Sequence, residues 1–314
     1  MALLGTILTV LIWIWVQYLP GYFVSKAFIP KAEGVARHAL ALVCGFTVIP
    51  LALFVLGALV DLPLDGPLLW SAASAINLAG LLFLAPLKSW RTPDIGKKDT
   101  VSLFAVGFLC AAFLLLGFRG IDAGDVLTTI QHCLYVISLH GIQNDPNLSL
   151  PLYDHMTGEF MHFLIHHDSN ELSGLAELLF EQRIGNVPLL GPPVALYGTA
   201  GFFVASVHAL VITALCIWLA ARELGAKGWS ATVATVIFIW GAQVLSAYYL
   251  NENCFALAMV SFLIWSALKG SLSLRWVIIC GLVAGHLIGV RHTSVLFLPA
   301  VVVALIWTTE SWRT

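Results

Sequence analysis

The chain has 314 residues, of which 60% are hydrophobic and only 10% are charged, and its mean hydropathy is +0.93. Soluble domains carry about 25% charged residues, so this composition excludes an ordinary soluble protein and predicts a polytopic membrane protein. The net charge of −2 and the scattering of basic residues over short loops exclude a nucleic-acid-binding surface.

Nine apolar runs are long enough to cross a bilayer as helices. The predicted fold is therefore an all-α integral membrane protein with about nine transmembrane helices and one long extracytoplasmic loop. The last two runs are short and closely joined, so a single hairpin is the alternative there. The runs cover about residues 3–25, 38–60, 67–87, 100–118, 198–221, 229–250, 254–269, 275–290 and 293–309. They divide the chain into a four-helix segment (1–118), the loop (119–197) and a segment of about five helices (198–314).

Basic residues collect in alternate loops. Because such residues favour the cytoplasmic side, we expect the N-terminus outside, the C-terminus in the cytoplasm and the long loop outside, as in a bacterial cytoplasmic (inner) membrane protein. On the opposite face there remain only Arg119, Arg183 and Arg291. The cytoplasmic set is Lys26, Lys31, Arg37, Lys88, Arg91, Lys97, Lys98, Arg222, Lys227, Lys269, Arg275 and Arg313.

The long loop is acidic and rich in histidine, with six of the ten histidines of the chain. Loops of this length in a compact protein are usually functional. We expect surface helices in it, the first over Val126–His140 with Asp125 as its N-cap. At the end of the loop, Pro192 and Pro193 are expected to stop any helix and to give an extended entry into the next span. The acids are Asp122, Asp125, Asp145, Asp154, Glu159, Asp168, Glu171, Glu177 and Glu181.

A second helix-like stretch of the loop has metal-ligand spacing. His155, Glu159, His162 and His166 recur at i, i+4, i+7 and i+11, which is one face of a helix. Imidazole and carboxylate groups so arranged can bind a divalent metal, the one cofactor that the sequence suggests. His162, His166 and His167 also resemble a single histidine box of the membrane di-iron oxidases. The simpler interpretation is a solvated helix face that carries histidines for polarity.

From residue 118 to about residue 309, the order of features resembles the C-type (GT-C) membrane glycosyltransferases, which use polyprenyl-phosphate sugars. In that superfamily a span ends at the outer face and an acidic residue, a surface helix and a long outer loop with a proline-rich end follow. The matching pieces are Arg119–Asp125, Val126–Gly141, Pro188–Tyr197, the turn Ala220–Gly225, Asn251-Glu252-Asn253 and the small-residue helix Gly281–Arg291.

The resemblance implies transfer of a sugar from a lipid-phosphate donor to an acceptor at the outer face. It points to Asp125 as the base, with Asp122 and Glu252 as further acids near the reacting centre. The structural alternative for Asp125 and Glu252 is helix capping. A lipid phosphate also needs cationic partners. Candidates are Arg119, Arg183, Arg291 and His292, although Arg291 at a helix end can equally reach for lipid headgroups.

Two other functions fit the same sequence. The first is a non-catalytic subunit that docks onto other membrane subunits, because the sequence has no motif that is diagnostic of a glycosyltransferase. A transporter is the other, although it needs polar groups within its spans. The main polar residues there are His208, Gln243 and His286. The expected partners are membrane lipids, a lipid-linked sugar donor and, for the subunit, other membrane proteins.

The metal hypothesis predicts that His162→Ala lowers the zinc or manganese content of the purified protein, because the substitution removes a central ligand of the helix face. Elemental analysis of the two proteins measures the change. Identical metal content in the variant and the parent would count against the site.

Overall fold

The computed structural model describes residues 2–60, 66–84, 99–108, 186–197, 201–241, 253–269 and 273–290, with a few positions between 296 and 303. Helices make up 92% of these described residues, and no strand occurs among them. The predicted all-α architecture is confirmed to that extent. Four helices are long and apolar enough to cross a membrane, here named the first to fourth spans: Ile7–Phe28, Gly34–Leu56, Gly66–Phe83 and Gly201–Glu223. The count of nine spans stays a prediction.

The helices follow one another with short turns wherever the connection is described. In chain order they are α1 (Ala2–Trp13), a π-helical turn (Ile14–Tyr18), α2 (Leu19–Phe28), α3 (Gly34–Val43), a second π-helical turn (Cys44–Val48), α4 (Ile49–Val60), α5 (Gly66–Leu84), α6 (Asp99–Phe108), α7 (Asn186–Tyr197), α8 (Gly201–Glu223), α9 (Gly228–Ile239), α10 (Asn253–Leu268) and α11 (Leu274–Val290).

Each of the first two spans contains a π-helical turn followed by a proline. Pro20 comes two residues after the first turn, and Pro50 comes two residues after the second. A proline within a helix has no N–H to donate, and its ring clashes with the carbonyl four residues earlier. The wider π spacing relieves that clash while the helix continues. The amide of Ile49 accordingly donates to the carbonyl of Cys44, five residues earlier.

The first two spans cross with their backbones in direct contact. A Cβ on Gly21 would clash with the carbonyl oxygen of Ala41, and a Cβ on Gly45 would clash with that of Gln17. Only glycine therefore allows this approach at both positions. Small residues serve the same purpose generally in membrane helix pairs, where dispersion contacts and not the hydrophobic effect hold the helices together.

The core lies between α8, α10 and the second span. Phe255 of α10 is fully buried between Phe46 and Phe202, with ring centroids 5.8 and 5.9 Å away. On the outer surface of the bundle, large apolar side chains such as Leu82, Phe83 and Phe104 are 69–78% exposed. This surface would be costly in water, and it is compatible with lipid contact.

The two prolines at the end of the long loop do not stop a helix. Pro192 and Pro193 lie inside α7, so the expectation of an extended entry is wrong. The fixed backbone angle of proline is compatible with a helix, and the cost is the lost hydrogen bonds and the ring clash. Burial offsets that cost here, because Leu189, Leu190 and Val194 are at most 2% exposed.

Several basic residues at or next to helix ends lie at one end of the bundle. Arg222 pairs with Asp99 at 3.8 Å, and Lys269 pairs with Glu223 at 4.0 Å. Arg275 donates to the carbonyl of Ala27 at 3.5 Å. These contacts join α2, α6, α8, α10 and α11 at what we call the basic end. They agree with the loop alternation predicted from the sequence.

The glycine crossing predicts that Gly21→Ala destabilises the protein by about 1–3 kcal/mol, because the new methyl group forces the two backbones apart. Thermal unfolding in lipid nanodiscs measures the effect. Gly285→Ala is the matched control, since a Cβ at that helical glycine meets no atom within 4 Å. Equal stability of the two variants would show that the crossing does not depend on Gly21.

Candidate functional site

Every site residue predicted from the sequence lies outside the described residues. This holds for the acids (Asp122, Asp125, Glu252), for the phosphate ligands (Arg119, Arg183, Arg291, His292) and for the metal face (His155, Glu159, His162, His166). Their roles stay predictions. Among the residues that the structure does describe, no group of three or more His, Cys, Asp or Glu side chains could hold a metal ion.

Two amide side chains and one imidazole within the described spans are almost completely buried. Gln17 is 3% exposed, Asn77 is 0% exposed and His208 is 1% exposed. They come from the first, third and fourth spans. Polar groups at such depth are costly in a membrane unless they are hydrogen-bonded, so each of them needs an explanation.

His208 has a structural role. The indole Nε1 of Trp13 donates to its Nδ1 at 3.1 Å, so Nδ1 is an acceptor and the proton lies on Nε2. That nitrogen lies 3.1 Å from the carbonyl oxygen of Leu42, to which it donates. The ring is also packed edge-on to Trp13 and against Phe46. Both nitrogens of the neutral imidazole are therefore used, and His208 ties the fourth span to the first two.

A second histidine lies closer to the basic end. His38 Nδ1 is 2.5 Å from the hydroxyl of Tyr18, and the two rings are stacked with centroids 6.2 Å apart. Tyr18 stacks in turn on Trp13 at 5.9 Å. The aromatic rings thus form a continuous row from His38 to His208 along the contact between the first two spans. This row positions side chains, and it brings no acid to either histidine.

Asn77 satisfies a carbonyl that Pro20 leaves free. In the helix ladder, the N–H at position 20 would pair with the carbonyl of Val16 in α spacing or of Trp15 in π spacing, and proline has no N–H. The Nδ2 of Asn77 donates to the Trp15 carbonyl at 2.8 Å. The third span thus supplies the donor that the first span lacks. Trp15 reinforces the contact, because its Nε1 donates to Ser74 at 3.3 Å.

Next to this contact is a small cleft, which we call the Gln17 cleft. It is formed by the first three spans and α7, and it encloses about 10 Å³. The Oε1 of Gln17 is buried and has no hydrogen-bond donor among the described residues. Among the described residues that line the cleft, none has a titratable side chain. Its lining includes Gln17, Gly45, Ile49, Pro50, Ala73 and Pro192.

The sequence analysis missed Gln17 and Asn77. A lone amide in an apolar run carries no pattern, and no charged residue is close to either one in the sequence. One signal was available, because Pro20 and Pro50 each lie within an apolar run. A proline in the middle of a span requires a donor from elsewhere for the carbonyl that it leaves free.

The comparisons with known proteins do not identify a family. No protein-family model matches the sequence, and no curated protein or solved structure is significantly similar to it.

The role of Asn77 predicts an interaction with Pro20. Asn77→Leu leaves the Trp15 carbonyl buried without a donor and should cost about 1–3 kcal/mol of stability. Pro20→Ala restores a backbone N–H to the first span, so Asn77→Leu should cost less in that background. Thermal unfolding of the four proteins of this double-mutant cycle measures the coupling. A cost that is unchanged by Pro20→Ala would contradict the assignment.

Proposed function

We propose that this protein transfers a sugar from a lipid-phosphate donor to an acceptor at the outer face of the membrane. The observation that carries the proposal is the position of Asp122 and Asp125 directly after an apolar run, at the start of a loop with nine acids and two bases. A lipid phosphate lies at the membrane interface, and a carboxylate that acts on its sugar must lie there too.

The geometry of the described helices supports this arrangement of the loop. The helix at the end of the loop, α7, ends at Tyr197, whose hydroxyl donates to the carbonyl of Thr9 at 3.3 Å. Burial raises the pKa of Tyr197 to about 12, so this donor stays protonated. Thr9 is in the half of the first span away from the basic end. The helix before the loop, α6, begins at that basic end, where Asp99 pairs with Arg222.

Two further site residues adjoin helix ends on the same side. Glu252 immediately precedes Asn253, the first residue of α10, and Arg291 immediately follows Val290, the last residue of α11. The opposite ends of α10 and α11 carry Lys269 and Arg275, which belong to the basic end. If the basic end is cytoplasmic, as the distribution of Lys and Arg favours, the start of α10 and the end of α11 lie toward the outer face, and Glu252 and Arg291 are their immediate neighbours in the sequence.

In this mechanism Asp125 accepts the proton of the acceptor hydroxyl as that oxygen attacks the anomeric carbon. The bond from that carbon to the phosphate oxygen breaks, and the lipid phosphate leaves with the electron pair. Arg119, Arg183, Arg291 and His292 are the groups available to stabilise its negative charge. Asp122 and Glu252 would orient the acceptor or stabilise positive charge that develops on the sugar.

The proposal predicts that Asp125→Asn lowers sugar transfer by about 10²–10⁴-fold, because the amide cannot accept the proton. The assay uses purified protein in lipid nanodiscs with a panel of polyprenyl-phosphate sugars, and it measures transfer of the labelled sugar. Asp145→Asn is the matched control, since it removes an acid elsewhere in the same loop. Unfolding temperatures of both variants establish that the protein is intact.

Transfer that is unchanged in Asp125→Asn would exclude this residue as the base. The absence of transfer from every donor by the parent protein would overturn the proposal. Stable co-purification with other membrane proteins would then favour the accessory subunit.

A further inference from the structure

We propose that the junction of α2 and α11 at the basic end binds the headgroup of an anionic phospholipid, with the guanidinium of Arg275 in contact with the phosphate. We call this junction the Arg275 site, and it is formed by Ala27, Phe28, Leu274 and Arg275. It lies at the end of the bundle opposite to the one proposed for sugar transfer, and it does not depend on that function.

The first argument is the distribution of charge. Every charged side chain that the structure describes belongs to the helix ends and turns at the basic end. Two of the acids there are already in ion pairs, Asp99 with Arg222 and Glu223 with Lys269. The excess of positive charge attracts anions, and it favours a lipid with a net negative charge over a zwitterionic one. Seven of these side chains are basic and three are acidic: Lys26, Lys31, Arg37, Arg222, Lys227, Lys269 and Arg275 against Glu33, Asp99 and Glu223.

The second argument is the hydrogen bonding of Arg275. Its guanidinium donates to the carbonyl of Ala27 at 3.5 Å, a long hydrogen bond that uses only one of the five N–H donors of the group. No carboxylate among the described residues is recorded in an ion pair with Arg275, in contrast to Arg222 and Lys269. The side chain is exposed, so a phosphate can approach it, and a planar guanidinium can bind two phosphate oxygens at once.

The third argument is the pair of apolar side chains beside this cation. Leu274 precedes Arg275 in the chain and is 75% exposed, and Phe28 follows Ala27 and is 45% exposed. Exposed apolar side chains next to a cation are typical of the depth at which hydrocarbon meets the lipid headgroups. A phospholipid matches both features, since its acyl chains contact the apolar side chains and its phosphate contacts the guanidinium. A soluble anion matches the cation alone.

Native mass spectrometry of the intact protein, released from detergent micelles, measures the binding of individual lipids. We expect phosphatidylglycerol to bind more tightly than phosphatidylcholine with the same acyl chains. Arg275→Gln should weaken the binding of phosphatidylglycerol by about fivefold, which corresponds to the loss of one basic side chain near an anionic membrane surface. It should leave the binding of phosphatidylcholine unchanged. Lys227→Gln is the matched control, because it removes an exposed basic side chain from another turn of the same end, and it should keep the preference of the parent protein.

Equal binding of the two lipids by the parent protein would overturn the proposal, whether or not Arg275→Gln folds. An equal loss in Arg275→Gln and Lys227→Gln would show attraction to the whole basic end, and it would overturn the assignment to this site. We expect inorganic phosphate and a polyglutamate peptide not to displace phosphatidylglycerol. Displacement by phosphate would identify a soluble anion as the ligand, and displacement by the peptide would identify an acidic protein segment. Either result would also overturn the proposal.

Discussion

The constraint on which the described structure depends is the need to pair every backbone polar group within an apolar surrounding. Pro20 and Pro50 each remove one backbone hydrogen bond from the first and second spans, because proline has no N–H. The π-helical turns absorb the steric clash, but they do not supply the missing donors. Asn77 supplies one of them. The third span is thereby tied to the first by a polar contact in addition to apolar packing, and that contact fixes its register.

The all-α fold could be predicted from the sequence because long apolar runs have few alternatives in a membrane. The internal geometry of the helices could not. Mean hydropathy is an average over many residues, so it does not reveal a single π-helical turn or the close approach of two helices at Gly21 and Gly45. The error at Pro192 and Pro193 has a related cause. Local backbone preference argued against a helix, whereas tertiary burial of the neighbouring leucines stabilises one.

Some of the candidate functional residues could be recognised from the sequence, and others only from the structure. Charged residues in a loop stand out in an apolar sequence, so Asp125 and its neighbours could be proposed without a structure. The buried amides Gln17 and Asn77 could not be recognised in this way, because the role of each depends on the contacts that its side chain makes in the fold. His208 is the instructive case. The sequence analysis identified it as a polar residue within a span, which a transporter would need. Its contacts with Trp13 and Leu42 show a neutral ring with both nitrogens occupied.

Arg37 has a consequence for the order in which the protein assembles. Its guanidinium donates to the carbonyls of Ile29, Pro30 and Ala32, at 2.6, 3.0 and 2.8 Å. All three lie in the short connection between the first two spans, within eight residues of Arg37 itself. Contacts so local need little loop-closure entropy. The helical hairpin can therefore close as soon as both of its spans have left the ribosome, and it gives later helices a preformed surface on which to pack.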